Sequence, residues 1–154
     1  MCFWKNLAKF VGMKQSIDFL PERKQRDLHE LVGLIRDEVK DVVMIILYGS
    51  YARNTYVELD IRRDYGGGKI QYMSDYDILV VSKKRLGSRT VTVSSRVKSS
   101  FLKNKNADTQ TRPQIINESI TKFNNALSEG RYFYVDILTE GIVLYDSGEC
   151  QLAT

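Results

Sequence analysis

The sequence predicts an α/β domain. Apolar runs of the length of a buried strand alternate along the chain with segments whose apolar residues recur at the helical spacing i, i+3, i+4 and i+7. The chain has 154 residues, of which 43% are hydrophobic and 27% are charged, as in an ordinary globular domain with its own core. Alternating strands and helices are typical of a sheet covered by helices.

The first predicted elements are a helix and a buried strand. Pro21 lies where a helix can begin, and five apolar residues after it share one helical face: Leu28, Leu31, Val32, Ile35 and Val39. The uninterrupted apolar run Val42–Tyr48 predicts a buried first strand. Ser50 follows it and is expected to cap a short helix.

A hairpin and a second core strand come next. Residues 57–61 and 69–73 flank the glycine-rich residues 65–68, a pattern that predicts a loose β-hairpin. The apolar residues 76–81 predict the second core strand.

The second half of the chain continues the alternation. Ser88 is expected to cap a helix through Val93, Val97 and Phe101, although the β-branched residues 91–93 also fit a strand. The remaining predictions, in chain order, are a polar loop at 104–112, a short strand at 114–116, a helix at 120–127 ended by Gly130, a last long strand at 132–138 and a closing segment at 142–145.

Two polar motifs adjoin the two core strands. Gly49 and Ser50 follow the first strand, and Asp75 and Asp77 stand at the start of the second. Side chains two residues apart on a strand point to the same face, where two carboxylates repel and raise each other's pKa. A divalent cation removes that conflict, and the small turn offers backbone N–H groups and a hydroxyl to a phosphate. Together the motifs predict a site for a metal-nucleotide.

In this order, the motifs resemble those of the minimal nucleotidyltransferases of the DNA polymerase β superfamily. The resemblance runs from Leu20 to Asp146 and implies the nucleotidyltransferase fold, a mixed β-sheet flanked by helices. A third family carboxylate usually lies on a later strand, and Asp136 in the predicted strand 132–138 matches it. The spacer departs from the family pattern, because 75 − 50 = 25 positions exceed the usual interval and contain the predicted hairpin.

The resemblance also implies the chemistry, an in-line attack on the α-phosphorus of a nucleoside triphosphate such as ATP. Asp75 and Asp77 would hold the Mg²⁺ that carries the triphosphate, and Asp136 would complete a second metal site or take the acceptor's proton. Gly49 lets the backbone approach the phosphates, and Ser50 would bind the triphosphate's β/γ end. Arg53 would contact phosphate or cover the helix with its stem.

The acceptor is predicted from a closer resemblance to the nucleotidyltransferase half of MNT–HEPN toxin–antitoxin proteins. Residues 20–53 and 127–146 carry it. It implies that the enzyme adds AMP to a HEPN-domain partner and so acts as an antitoxin. Two alternatives stay open: nucleotidylation of an aminoglycoside at the same site, and a non-catalytic antitoxin that acts by binding. Because fused members continue into a HEPN domain beyond this point, the chain is expected to be a stand-alone or a truncated version.

The remaining features of the sequence concern the domain boundaries and the cellular location. Three regions are predicted: an N-terminal amphipathic segment at 1–20, the nucleotidyltransferase domain at 21–146 and a C-terminal tail at 147–154. One helical face of the N-terminal segment carries Phe3, Leu7, Phe10 and Val11. No apolar run approaches the ~20 residues of a membrane span. Cys2 and Cys150 lie at opposite ends, which fits a reducing cytoplasm. The net charge of +4 comes from scattered basic residues and does not by itself predict nucleic-acid binding.

Overall fold

The computed structural model describes residues 13–149, except for the side chain of Ile70. Its helices are α1 (Glu22–Glu38), α2 (Gly49–Arg53), α3 (Arg89–Leu102), α4 (Ile120–Ser128) and α5 (Tyr132–Glu140). Its strands are β1 (Val42–Tyr48), β2 (Asp60–Arg63), β3 (Lys69–Tyr72), β4 (Tyr76–Ser82), β5 (Pro113–Ser119) and β6 (Ile142–Asp146).

Four of the strands form one mixed sheet in the order β5-β4-β1-β6. The central strand β1 pairs antiparallel with both β4 and β6, and β5 runs parallel to β4. Strands β2 and β3 form a separate two-stranded sheet. The predicted fold class is therefore confirmed: a mixed sheet flanked by helices, with an inserted hairpin.

Side chains alternate across the sheet, so that each face has its own core. On β4, Ile78 and Val80 belong to the core under α1 and α3, whereas Leu79 and Val81 belong to the core under α4 and α5. Helix α1 buries Leu28, Leu31 and Ile35 completely, as the predicted helical face requires. Burial of each such side chain contributes about 1.5–3 kcal/mol relative to leaving it exposed.

The predicted strand at 132–138 is wrong, because these residues form most of helix α5. Strand β1 already pairs with β4 on one side and β6 on the other. The apolar face of β1 and β4 is therefore buried by a helix that packs on it rather than by a further strand. Tyr134, Ile137 and Leu138 supply that cover at the helical spacing i, i+3 and i+4. Gly141 ends the helix where a β-carbon would collide with the Ile137 carbonyl and approach Ile46 Cγ2 to 2.9 Å.

Three smaller predictions also differ from the structure. Ser50 does not cap α2, because the helix already includes Gly49 and its N-cap residue is Tyr48. Ser88 does precede α3 directly, but its side chain makes no capping hydrogen bond. The strand predicted at 114–116 extends over Pro113–Ser119, since it pairs along the whole of β4.

The hairpin forms as predicted, with shorter strands. Asp60 pairs with Tyr72 at its base, and Asp64 Oδ1 holds the turn by accepting from the backbone N–H groups of Gly66 at 3.0 Å and Gly68 at 2.6 Å. Residues 57–59 are not part of the strand. Instead, the Ser74 N–H donates to the Val57 carbonyl at 2.9 Å, which closes the neck of the insert.

The described part of the N-terminal segment packs on this domain. Met13, Ile17 and Leu20 are buried, and the Val143 N–H donates to the Lys14 carbonyl at 2.8 Å. The predicted face with Phe3, Leu7, Phe10 and Val11 lies outside the described residues, as do Cys2 and Cys150. Of the helices in residues 13–149, none combines the length and the apolar character that crossing a membrane requires.

Candidate functional site

The two motifs meet because β1 and β4 are antiparallel neighbours. The end of β1 therefore lies beside the start of β4, and Tyr48 is the cross-strand partner of Asp77. The chain then leaves β1 at Gly49 and turns directly into α2. Two segments that are 25 residues apart in the sequence (75 − 50) thus form one site.

Gly49 fits this position because its backbone and its surroundings both exclude a side chain. Its φ of +73° is a left-handed conformation that residues other than glycine rarely adopt. A β-carbon there would also collide with Asp77 Oδ2 and lie 3.1 Å from Asp77 Cγ. The turn backbone therefore packs directly against the carboxylate.

Asp75 and Asp77 are partly buried, and their carboxylates have no hydrogen-bond or ion-pair partner within residues 13–149. Burial raises the pKa of Asp77, and the nearby charge of Asp75 raises it further, while Arg53 opposes the shift. Carboxylates kept together without compensation are a feature of cation sites rather than of stable cores.

Ser50 lies in the first turn of α2, immediately after Gly49. Its hydroxyl is partly exposed and has no hydrogen-bond partner in the described part of the chain. It is therefore free to bind a ligand oxygen, as the sequence predicts, and its role stays a prediction.

Arg53 lies at the end of α2 and joins it to α5. Arg53 Nη1 donates to Glu140 Oε2 at 3.3 Å, with both side chains about half exposed. The guanidinium is close enough to Asp77 to lower the pKa of that carboxyl. Arg53 thus borders the site, and its contact with phosphate stays a prediction.

Asp136 lies on a helix and is exposed, so its predicted place on a strand is wrong. Phe133 and Glu140 share its helix face, at i−3 and i+4. The Phe133 ring contacts the Tyr48 ring at 5.6 Å between centroids, and Glu140 binds Arg53. Asp136 is therefore carried on the helix face that borders the Gly49 turn.

The structure does not gather the three predicted carboxylates into one cluster. In residues 13–149, no three histidine, cysteine or acidic side chains are grouped so that they could hold a metal ion. Asp75 and Asp77 do suit a single Mg²⁺ that arrives with a triphosphate, because Mg²⁺ often takes one or two carboxylates plus phosphate oxygens and waters. The role of Asp136 as a metal ligand stays a prediction.

Three residues at the site were not found in the sequence: Tyr48, Gln114 and Glu140. The parallel register places Gln114 beside Asp77, which no local pattern indicates. Glu140 follows Asp136 at i+4, a signal that appears only when the segment is recognised as a helix. Burial and the charge of Asp77 raise the pKa of Tyr48 to about 12.

Comparison with known proteins gives one structural likeness. No protein-family model and no curated protein matches the chain. The fold is similar to a crystal structure from Sulfolobus solfataricus that is described, provisionally, as a nucleotidyltransferase, with 16% sequence identity and a TM-score of 0.44. The likeness covers 82% of this chain and 86% of that one.

Proposed function

We propose that the protein is a metal-dependent nucleotidyltransferase that moves AMP from ATP to an acceptor hydroxyl. One observation carries the proposal: the left-handed Gly49 turn packs against Asp77, beside a second carboxylate with no partner among the described residues. A triphosphate on the turn would place its oxygens near the carboxylates, and these would then share a cation with the phosphates.

Each residue has a separate task in this proposal. Asp75 and Asp77 would hold one Mg²⁺, which when bound would neutralise phosphate charge and polarise the α-phosphorus. The backbone of Gly49 and the hydroxyl of Ser50 would bind the terminal phosphates. Attack by the acceptor oxygen on the α-phosphorus would break its bond to the bridging oxygen and release pyrophosphate.

The acceptor would enter along α5. Its face carries Phe133, Asp136 and Glu140, of which the first and last contact residues next to the turn. Asp136 is exposed on this face and would take the proton of the acceptor hydroxyl. We propose a HEPN-domain protein as the acceptor, on the strength of the resemblance of residues 20–53 and 127–146 to MNT–HEPN proteins.

A non-catalytic antitoxin is the second candidate, and one observation favours it. Residues 13–149 contain no group of three histidine, cysteine or acidic side chains placed to hold a metal ion, whereas a two-metal centre would need ligands beyond Asp75 and Asp77. Such a protein would neutralise its partner by binding alone, and the carboxylate pair would not be needed for that effect.

Transfer of radiolabel from α-labelled ATP separates the two candidates. The parental protein, Mg²⁺ and a candidate HEPN partner are incubated together, and incorporation of label into the partner is measured with and without a chelator. Ser50→Ala and Asp75→Asn are compared with Asp37→Asn, a matched control in which the lost carboxylate is exposed on α1.

We expect Mg²⁺-dependent labelling that Asp75→Asn abolishes and Asp37→Asn preserves. Ser50→Ala should weaken ATP binding modestly, by about 0.5–1.5 kcal/mol, the worth of one hydrogen bond. Unlabelled partner that is nevertheless bound and inhibited by all four proteins would establish the non-catalytic antitoxin instead.

A further inference from the structure

Two tyrosines next to the site residues belong to the core under α1 and α3, on the other side of the sheet from α5. Tyr51 follows Ser50, and Tyr76 lies between Asp75 and Asp77. Both tyrosines are fully buried, and their rings are 4.7 Å apart between centroids. The segment after the Gly49 turn and strand β4 are therefore in contact behind the site as well as in front of it.

Helix α1 holds both tyrosine hydroxyls through polar side chains. Tyr76 donates to Asp27 Oδ2 at 2.6 Å, and Lys24 Nζ donates to Thr111 Oγ1 at 2.7 Å. The Thr111 hydroxyl shares a hydrogen bond of 3.1 Å with the Tyr51 hydroxyl. Lys24 and Asp27 are at i and i+3, so one face of α1 reaches both halves of the site.

Stability alone does not account for these two charged residues. Lys24 is 3% exposed and Asp27 is 6% exposed, and burial lowers the pKa of Lys24. Taking charges out of water costs several kcal/mol per ion, and apolar side chains of similar volume are often equally or more stabilising. What these two residues add is a fixed geometry, because the hydrogen bond that each makes allows only a narrow range of positions.

We propose that Lys24 and Asp27 are positioning residues. They fix the position of the Gly49 turn relative to Asp75 and Asp77, as nucleotide transfer requires. Asp27 acts through Tyr76 on the strand, and Lys24 acts through Thr111 and Tyr51 on the turn. The inference rests on the proposed function and deepens it. Small displacements at a reacting centre reduce rates strongly, since a shift of ~1 Å can cost ~100-fold.

The test compares transfer rate with stability in Lys24→Met, Tyr76→Phe and Asp27→Asn. Lys24→Met keeps the length of the side chain and removes the charge, so its melting temperature should equal or exceed the parental value. Its kcat should nevertheless fall by about 10-fold or more, with the KM for Mg-ATP within about 3-fold. Tyr76→Phe should lose kcat by a similar factor, but its melting temperature should fall, because it leaves the buried Asp27 carboxylate without its hydroxyl donor. Asp27→Asn, which still accepts from Tyr76, should lose less kcat than Tyr76→Phe.

Ser82→Ala is the matched control, because Ser82 is buried at the far end of the same strand and its hydroxyl donates to the Lys84 carbonyl at 2.6 Å. It should lower the melting temperature and leave kcat parental. Parental kcat in folded Lys24→Met and Tyr76→Phe, while Asp77→Asn is inactive, would overturn the positioning role alone. A parental protein that transfers no nucleotide would overturn the proposed function and this inference with it.

Discussion

Gly49 and Asp77 lie so close together that a β-carbon on residue 49 would collide with the carboxylate of residue 77. The contact brings a backbone turn and an acidic side chain from separate segments into one surface. The carboxylate has no hydrogen-bond or ion-pair partner among the described residues, and only the more distant charge of Arg53 partly offsets its burial and the charge of Asp75. In the proposed function, a bound metal-nucleotide would resolve this arrangement, because it would offer phosphate to the turn and a cation to the carboxylate.

Gly49→Ala should abolish binding of Mg-ATP. The substitution adds a left-handed alanine, which costs about 1–2 kcal/mol, and it also displaces Asp77. Gly87→Ala is the matched control, since Gly87 also has a positive φ of +60° but has open space, with no atom within 4 Å, where a β-carbon would lie. Calorimetric titration with Mg-ATP should show loss of binding only for Gly49→Ala; equal affinities in the two variants would remove the turn from the site.

Asp77 should make the metal-free protein less stable as the pH rises. Its pKa in the folded protein is raised above the ordinary value of 3.8, so the protonated form is favoured on folding. Its contribution to stability is therefore fully present below the ordinary pKa and is lost as the pH rises through the raised pKa. Asp77→Asn, which does not titrate, should have the higher melting temperature at neutral pH.

The difference should be a few degrees, because about 1 kcal/mol shifts the melting temperature of a domain of this size by roughly 2–4 °C. Thermal melts in chelator from pH 4 to pH 8 measure it as the gap between the two proteins. A difference in melting temperature that is constant from pH 4 to pH 8 would show that burial and Asp75 do not raise the pKa of Asp77.

Shortening the hairpin should separate nucleotide binding from transfer. Strands β2 and β3 pair only with each other, and the neck of the insert is closed by Val57 and Ser74. Replacing residues 60–69 with a short Gly-Ser link should therefore leave the affinity for Mg-ATP nearly unchanged and lower the rate of AMP transfer to the cognate partner. A parental transfer rate would make the hairpin a tolerated surface insertion.

A single substitution in the hairpin tests whether its exposed side chains affect the rate of AMP transfer. Ile61 is 52% exposed on β2, and Val91 is 73% exposed on α3. If the hairpin contacts the acceptor, Ile61→Ser should slow transfer while Val91→Ser should not. Loss of nucleotide binding in the shortened protein would instead show that the hairpin helps to build the phosphate site.

Arg53 and Glu140 form an exposed ion pair that joins α2 to α5. A loss of nucleotide affinity in a variant of either residue could therefore have a purely structural cause. An exposed pair of this kind contributes about 0–1 kcal/mol to stability. If Arg53 binds phosphate, Arg53→Met should weaken Mg-ATP binding, whereas Glu140→Gln should leave it unchanged or strengthen it. Matching losses of affinity in both variants, measured by calorimetry, would limit Arg53 to a structural role.

The sequence predicts much of the fold because its signals there are local. The apolar run Val42–Tyr48 and the helical face of α1 depend on burial alone, and both occur as predicted. Residues 132–138 mislead because their aromatic and β-branched side chains favour a strand. Their helix is decided by tertiary packing, since the sheet face of β1 and β4 has to be covered.

The site is predictable to the same extent. The sequence motifs at Gly49, Asp75 and Asp77 predict that these residues lie together, and the antiparallel pairing of β1 with β4 brings them together; their role in binding stays a prediction. The buried contacts of Lys24 and Asp27 join residues far apart in the sequence: Asp27 and Tyr76 are 49 positions apart. Such contacts depend on how the helices pack on the sheet, which no local sequence pattern predicts.

The central claim is that the Asp75–Asp77 pair binds the metal of a metal-nucleotide, and a thermal shift assay tests it most directly. The melting temperature is measured with Mg²⁺ and ATP together and separately, for the parental protein, Asp77→Asn and Asp37→Asn. Because a ligand at a hundred times its dissociation constant stabilises the folded state by ~2.7 kcal/mol, the parental protein and Asp37→Asn should show a clear upward shift with Mg-ATP. Asp77→Asn should remain folded and show none; a shift equal to the parental one in this variant would contradict the claim.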